Sequence, residues 1–98
     1  MLSIKVVKES GVLKLMMNIV KRSFTLKEIK SILNNKDKLS ESQLNSFRII
    51  LDNINSINIQ LVKVGGKYYI INGVHRVKAV IDKLSDNEMI DCDVLVVS

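Results

Sequence analysis

The residues best suited to chemistry form the run Asn72-Gly73-Val74-His75-Arg76. In this run a strand-like segment ends, a glycine turns the chain, and a helix begins at once with a His-Arg pair. The free amides of a helix start, together with the helix dipole, favour an anion such as phosphate. Arg76 can donate to two phosphate oxygens and His75 to another, while Gly73 lets the backbone approach closely. The run predicts a phosphate site.

A purely structural role explains the same residues. Gly73 would then form a tight turn, and His75 and Arg76 would be exposed side chains on the first turn of a helix. A short Gly-x-His-Arg pattern is weak by itself. His75 falls opposite the apolar arc of the predicted helix, which argues against a core histidine. Spacing alone leaves both interpretations open.

Composition excludes several classes of protein. The chain has 98 residues, 47% of them hydrophobic, which fits one small domain over residues 1–98. One cysteine and one histidine exclude an internal disulfide, a cysteine zinc cluster and a two-histidine metal site, so no metal ligands are assigned. The N-terminal segment has no apolar stretch long enough for a signal peptide or a membrane span. We expect a cytoplasmic protein with no membrane partner.

The net charge of +5 is unevenly distributed. Residues 1–36 carry seven lysines and one arginine against two glutamates, whereas the remainder carries seven basic and eight acidic residues. This asymmetry favours an anionic partner for the N-terminal third, although a solvated lysine-rich surface explains it equally. The candidate contacts to a nucleic-acid backbone are Lys21, Arg22, Lys27, Lys30 and Lys78.

Two helices are marked by capping boxes. Thr25-x-x-Glu28 and Ser40-x-x-Gln43 each precede apolar residues at helical spacing. A third helix is predicted over residues 74–84, where valines, Ile81 and Leu84 share one arc. Residues 12–21 are apolar almost throughout, and we interpret them as a short buried helix.

The strands are indicated by alternation and turn residues. Residues 3–8, 57–61, 67–71 and 91–97 read as strands, and Gly65-Gly66 predicts a hairpin between the second and third. The fold class is therefore α+β, a small mixed sheet with three to four helices.

The order of these elements resembles the ParB/sulfiredoxin superfamily, most clearly over residues 40–97. Members share a strand, a hairpin turn, a second strand, a Gly-x-[His/Arg]-Arg box opening a helix, and a closing strand. Ala79 stands three residues after Arg76, as is usual in the family. The resemblance implies phosphate contacts at Asn72, Gly73, His75 and Arg76. It also implies a nucleoside triphosphate with Mg2+ as a candidate cofactor, since ParB clamps bind CTP and sulfiredoxins bind ATP.

Val74 marks the departures from the family. Sulfiredoxins have a nucleophilic cysteine directly before the His-Arg pair, so Val74 argues against sulfiredoxin activity. ParB proteins carry a glutamate after the box glycine, which Val74 also replaces. Because the sequence ends at Ser98, we expect neither the DNA-binding nor the dimerisation domain of partition proteins. We therefore expect a stand-alone version of the fold, with residues 1–24 unassigned.

Catalysis requires a metal-binding carboxylate or a base near the phosphate. The candidate acids are Asp82, Asp86, Glu88, Asp91 and Asp93, and for each the favoured interpretation is a solvated surface carboxylate or a charge at a helix exit. His75 has no assignable orienting acid, and Cys92 fits a buried hydrophobe. We expect a ParB-like domain that binds nucleotide phosphate or DNA backbone in an accessory or regulatory role. The alternatives are a nuclease or phosphotransferase of this fold, and a ligand-free interaction module working as a homo-oligomer.

Overall fold

The computed structural model describes residues 2–7 and 14–97, and this part of the chain is an α+β fold with three helices. The elements are β1 (Leu2–Val7), β2 (Lys14–Thr25), α1 (Leu26–Leu33), α2 (Glu41–Asp52), β3 (Ile59–Val64), β4 (Lys67–Asn72), α3 (Val74–Val80) and β5 (Met89–Val97). The predicted α+β class is confirmed, and the described residues contain three of the three to four helices expected.

The strands form one mixed sheet in the order β1-β2-β5-β3-β4. Neighbouring strands are antiparallel except for β3 and β5, which run parallel. The predicted hairpin is confirmed, because β3 and β4 pair antiparallel across Gly65 and Gly66, whose φ values are +57° and +79°. Strand β5 lies between β2 and β3, and this central position explains its run of four buried residues.

Helices cover both faces of the sheet and create two hydrophobic clusters. One cluster joins Phe47 and Leu51 of α2 to β-strand residues such as Val62 and Leu95, and we name this side the α2 face. The other cluster contains Ile29 of α1 and Val77 of α3, and we name this side the α1–α3 face. Adjacent residues along a strand therefore alternate between the two clusters. The buried members of the cluster on the α1–α3 face are Phe24, Ile29, Ile59, Leu61, Val77, Cys92 and Val94.

Both predicted capping boxes are present. The Thr25 hydroxyl accepts a hydrogen bond from the Glu28 amide at 3.1 Å, and the Glu28 carboxylate accepts one from the Thr25 amide at 3.0 Å. These bonds lower the pKa of Glu28 below its ordinary value. The hydrogen bond from the Thr25 backbone amide has the larger effect, and the one with the Thr25 hydroxyl has the smaller. Ser40 and Gln43 form the same reciprocal pair at 3.2 Å each.

The helix predicted over residues 12–21 is wrong where the structure describes this segment. Residues 14–21 belong to β2, which pairs with β1 on one side and with β5 on the other; residues 12 and 13 lie outside the described residues. Met17 and Ile19 join the cluster on the α2 face, whereas Val20 packs on the α1–α3 face. Because both faces are covered, the apolar run shows no period of two.

Two further boundaries differ from the sequence prediction. Helix α3 ends at Val80 rather than at residue 84, and hydrogen-bonded turns continue the chain. The predicted strand beginning at Ile57 starts instead at Ile59. Ile57 is 80% exposed, so its place in an alternating pattern did not lead to burial.

Candidate functional site at the start of helix α3

Gly73 turns the chain between β4 and α3. It has a φ of +101°, and its carbonyl accepts the amide of Val77 at 3.1 Å. A Cβ at this position would lie 3.2 Å from both the Cα and Cγ1 atoms of Ile59. The fold itself therefore demands glycine here, through a positive φ and a close approach to β3.

The first turn of α3 (residues 74–76) carries the donors expected of a phosphate site. The amides of Val74, His75 and Arg76 make no hydrogen bond to any described residue. The side chains of His75 and Arg76 are exposed and likewise have no hydrogen-bond or ion-pair partner in that part of the chain. Val77 is fully buried and anchors the turn to the sheet. Amide donors and an arginine on one turn can together bind an oxyanion.

The side chain of Asn72 belongs to a hydrogen-bond network that was not predicted from the sequence. Its Nδ2 donates to Gln60 Oε1 at 2.6 Å and to Asp52 Oδ1 at 3.1 Å. Gln60 is buried and donates from Nε2 to the carbonyl of Leu51 at 3.0 Å. This network joins β4, β3 and the end of α2 and engages the side-chain amide of Asn72 within the fold. The position of the polar Gln60 between Ile59 and Leu61, inside an apolar strand, was the sequence feature that could have indicated this network.

A shallow groove of about 300 Å3 lies beside Arg76. Its exposed charged residues are Arg76 and Asp91, and Asn58 adds an amide. The apolar lining residues are Ile57, Ile59, Val80, Leu84 and Ile90. No sequence pattern indicated this groove, since its residues come from three separate segments of the chain, 57–59, 76–84 and 90–91.

Two of the predicted nucleic-acid contacts are engaged within the fold. Arg22 donates to the hydroxyl of Tyr68, and its guanidinium carbon lies 4.6 Å from the ring centroid of Phe24. Lys30 forms an ion pair with Asp86 at 2.8 Å. This hydrogen-bonded lysine keeps the pKa of the Asp86 carboxyl below its ordinary value. Both cations thus have anchoring contacts on the α1–α3 side.

The other three basic candidates are exposed but are not all on one side of the sheet. Lys27 in α1 and Lys78 in α3 lie on the side that carries His75 and Arg76. Lys21 lies two residues after Ile19 on β2, and strand alternation therefore places it on the α2 face. The structure brings Lys27 and Lys78 to the side of the candidate site and leaves Lys21 opposite.

The candidate acids do not form a metal centre within the described residues, where no group of three His, Cys, Asp or Glu side chains is suitably placed. Asp91 accepts a hydrogen bond from the Ser23 hydroxyl at 2.6 Å. Asp93 is buried, and its Oδ2 has no partner among the described residues. Asp82, Asp86 and Glu88 are exposed.

Cys92 is a buried hydrophobe, as predicted. Its side chain is fully buried in the cluster on the α1–α3 face. Burial, reinforced by the neighbouring charges of Asp93 and Asp91, raises the pKa of its thiol to about 11. A thiol with this pKa is protonated at neutral pH and is therefore a poor nucleophile.

No protein-family model matches the chain, and no curated protein or solved structure matches it. Across the described ranges 2–7 and 14–97, no helix is long and apolar enough to cross a membrane.

Proposed function

We propose that this domain binds a phosphate group, of a nucleotide or of a nucleic-acid backbone, at the first turn of α3. The observation that supports the proposal is the set of three consecutive amides, those of Val74, His75 and Arg76, without acceptors among the described residues. Exposed amide donors at a helix start attract anions through both hydrogen bonding and the local dipole.

The side chains of the turn add to this attraction. Arg76 supplies a planar fork of donors that matches two phosphate oxygens, and His75 supplies a further donor. Val77, fully buried, and Gly73, packed against Ile59, hold the turn in place before any ligand arrives. A preformed turn loses little conformational entropy on binding, which favours affinity.

The proposed role is that of a cytoplasmic ParB-like domain with an accessory or regulatory part in DNA transactions. A nucleoside triphosphate with Mg2+ is the proposed cofactor, by the resemblance of the Gly-x-His-Arg box to the phosphate box of that superfamily. Lys27 and Lys78 lie on the same side of the sheet as the turn. They would strengthen binding to DNA more than to a single nucleotide, since each backbone contact releases a counterion.

Thermal unfolding with added ligand tests the proposal. The ligands are ATP, CTP, GTP and a short DNA duplex, each with and without Mg2+ and at two salt concentrations. A ligand at about 100 times its Kd adds about 2.7 kcal/mol to the free energy of unfolding, which raises the midpoint visibly in a domain of this size. A shift with one nucleotide identifies a nucleotide site, and a shift with DNA that salt abolishes identifies backbone binding.

Matched variants locate the binding. Arg76→Ala and His75→Ala should abolish or greatly reduce the shift with little change in the unliganded midpoint, because both side chains are exposed. Lys83→Ala is the control, since it also removes one exposed positive charge but lies beyond the end of α3. An equal loss of binding in Lys83→Ala would show that the variants weaken binding through the net charge of the chain and not through a contact at the first turn of α3. The absence of a shift with every ligand would refute the proposal.

A further inference from the structure

Strand β4 forms one edge of the sheet. It stands last in the order β1-β2-β5-β3-β4, and β3 is the strand that pairs with it. In an antiparallel pair, the residues of each strand alternate between hydrogen bonding to the partner and facing away from it. The two-residue turn at Gly65-Gly66 sets this alternation, because Val64 and Lys67 on either side of it form a hydrogen-bonded pair.

The backbone groups of Tyr68 and Ile70 therefore face away from β3. Tyr69 stands opposite Val62 in the register and forms the next hydrogen-bonded pair, which leaves its two neighbours with N–H and C=O groups on the free side. In residues 2–7 and 14–97, no backbone or side-chain atom forms a hydrogen bond with these groups. Unpaired groups at a strand edge are a template for a further strand.

A groove of about 420 Å3 runs along the same edge, and we call it the β4 groove. Its apolar lining residues are half-buried and belong to both faces of the sheet. Ile32, Leu33 and Ile70 pack on the α1–α3 face, and Leu39, Leu44 and Tyr69 pack on the α2 face. A strand added to β4 would direct alternate side chains to these two faces, and each set would meet an apolar wall.

We propose that the β4 groove binds an extended peptide segment, which adds to the sheet as a further strand beside β4. The N–H and C=O groups of Tyr68 and Ile70 bond to the main chain of the segment and supply affinity. The apolar walls receive its side chains in alternation and supply specificity. The segment thus satisfies backbone groups that have no partner in the described part of the chain.

The charges around the β4 groove are complementary to a segment without net charge. Asp37 forms an ion pair with Lys67, and the other charged lining residues are Lys38 and Glu41, one of each sign. A nucleic acid or a strongly charged peptide would be attracted by one of these two residues and repelled by the other. The favoured partner is therefore a neutral peptide rich in apolar residues.

The shape of the β4 groove favours a single segment over a second copy of this chain. Helices α1 and α2 cover opposite faces, so residues 34–40 must pass from one face to the other. They pass beside β4, because Asp37 pairs with Lys67, and Asn35 and Lys38 line the groove. The edge is therefore recessed. Two recessed edges cannot approach to the strand spacing of about 4.8 Å, whereas one isolated strand can.

Peptide binding in the β4 groove is independent of the proposed phosphate site. Although Val74 lines the groove, the segment bonds to the backbone of β4, and phosphate bonds to the amides of residues 74–76. Failure of either proposal would therefore leave the other standing.

Amide hydrogen exchange of the isotope-labelled full chain tests the edge without a peptide. We expect the amides of Tyr68 and Ile70 to exchange at least tenfold faster than those of Lys67 and Tyr69, which donate to β3 and serve as the matched control. Equal protection in dilute solution would mean that the edge is already covered and would overturn the proposal. Protection that grows with protein concentration would identify a second copy as the occupant, which also overturns it.

A display library of random heptapeptides supplies the probe, and the most enriched sequence is then synthesised. We expect a neutral, apolar sequence that binds the full chain and slows exchange at Tyr68 and Ile70 at least tenfold at saturation. Methylation of single peptide amides should weaken binding at every second position, because an added strand donates alternate amides to β4. Failure to enrich any peptide, a bound peptide that leaves Tyr68 and Ile70 unprotected, or a methylation profile without a period of two would each contradict strand addition to β4.

Discussion

At Gly73 two reasons for a glycine coincide: a positive φ, and packing against Ile59 on the neighbouring strand. The turn was predictable from the sequence, since a glycine stood between a strand pattern and a helix pattern. The packing was not, because Ile59 lies fourteen residues earlier and comes beside Gly73 only through the β3–β4 register, in which Gln60 faces Asn72 and the pairing shifts between Gln60 and Leu61. The fold therefore requires Gly73 whether or not a ligand approaches the backbone at this position.

Gly73→Ala should destabilise the domain more than Gly66→Ala. Both glycines have a positive φ, which costs an alanine about 1–2 kcal/mol, but a Cβ meets nothing within 4 Å at Gly66 and meets Ile59 at 3.2 Å at Gly73. Chemical denaturation of the two variants gives the difference directly. Equal losses of stability would mean that β3 moves aside at little cost and that only the backbone angle matters.

At the scale of elements, a polar row crosses the sheet on the α2 face. The strand register places Asp93 between Lys21 on β2 and Gln60 on β3, and Gln60 beside Asn72 on β4. Gln60 and Asn72 satisfy each other, whereas Oδ2 of Asp93 has no partner among the described residues. A buried carboxylate oxygen without a donor costs stability.

Asp93→Asn should therefore raise the thermal midpoint. The amide has the same size and removes the uncompensated charge, with an expected gain of about 1–3 kcal/mol. Asp91→Asn serves as the control, because Asp91 is exposed and bonded to Ser23, and we expect a change of less than about 0.5 kcal/mol. A midpoint lowered by Asp93→Asn would show that the carboxylate is paired in solution, with Lys21 as the nearest cation in the register.

Elements with local signals were predictable and those defined by tertiary pairing were not. Both capping boxes and the Gly65-Gly66 hairpin depend on contacts within a few residues, and all three formed as expected. Strand β2 depends on β1 and β5, so its apolar sequence, read without those neighbours, resembled a buried helix. The groove beside Arg76 was unpredictable for the same reason, since distant segments form it.

At the scale of the molecule, the topology separates the helices and thereby divides the basic residues. Helices α1 and α3 cover one face and α2 covers the other. Lys27, Lys78, His75 and Arg76 share a side of the sheet, and Lys21 does not. The sequence predicted a basic surface from charge counting, but only the fold decides which charges can act on one ligand.

In the proposed site, the backbone amides at the start of α3 bind phosphate. The direct test is a titration of the isotope-labelled chain with inorganic pyrophosphate, followed through its amide resonances. We expect the largest saturable changes at Val74, His75 and Arg76, and their disappearance in Arg76→Ala but not in Lys83→Ala. Saturable changes centred elsewhere, or none at these three amides, would contradict the account.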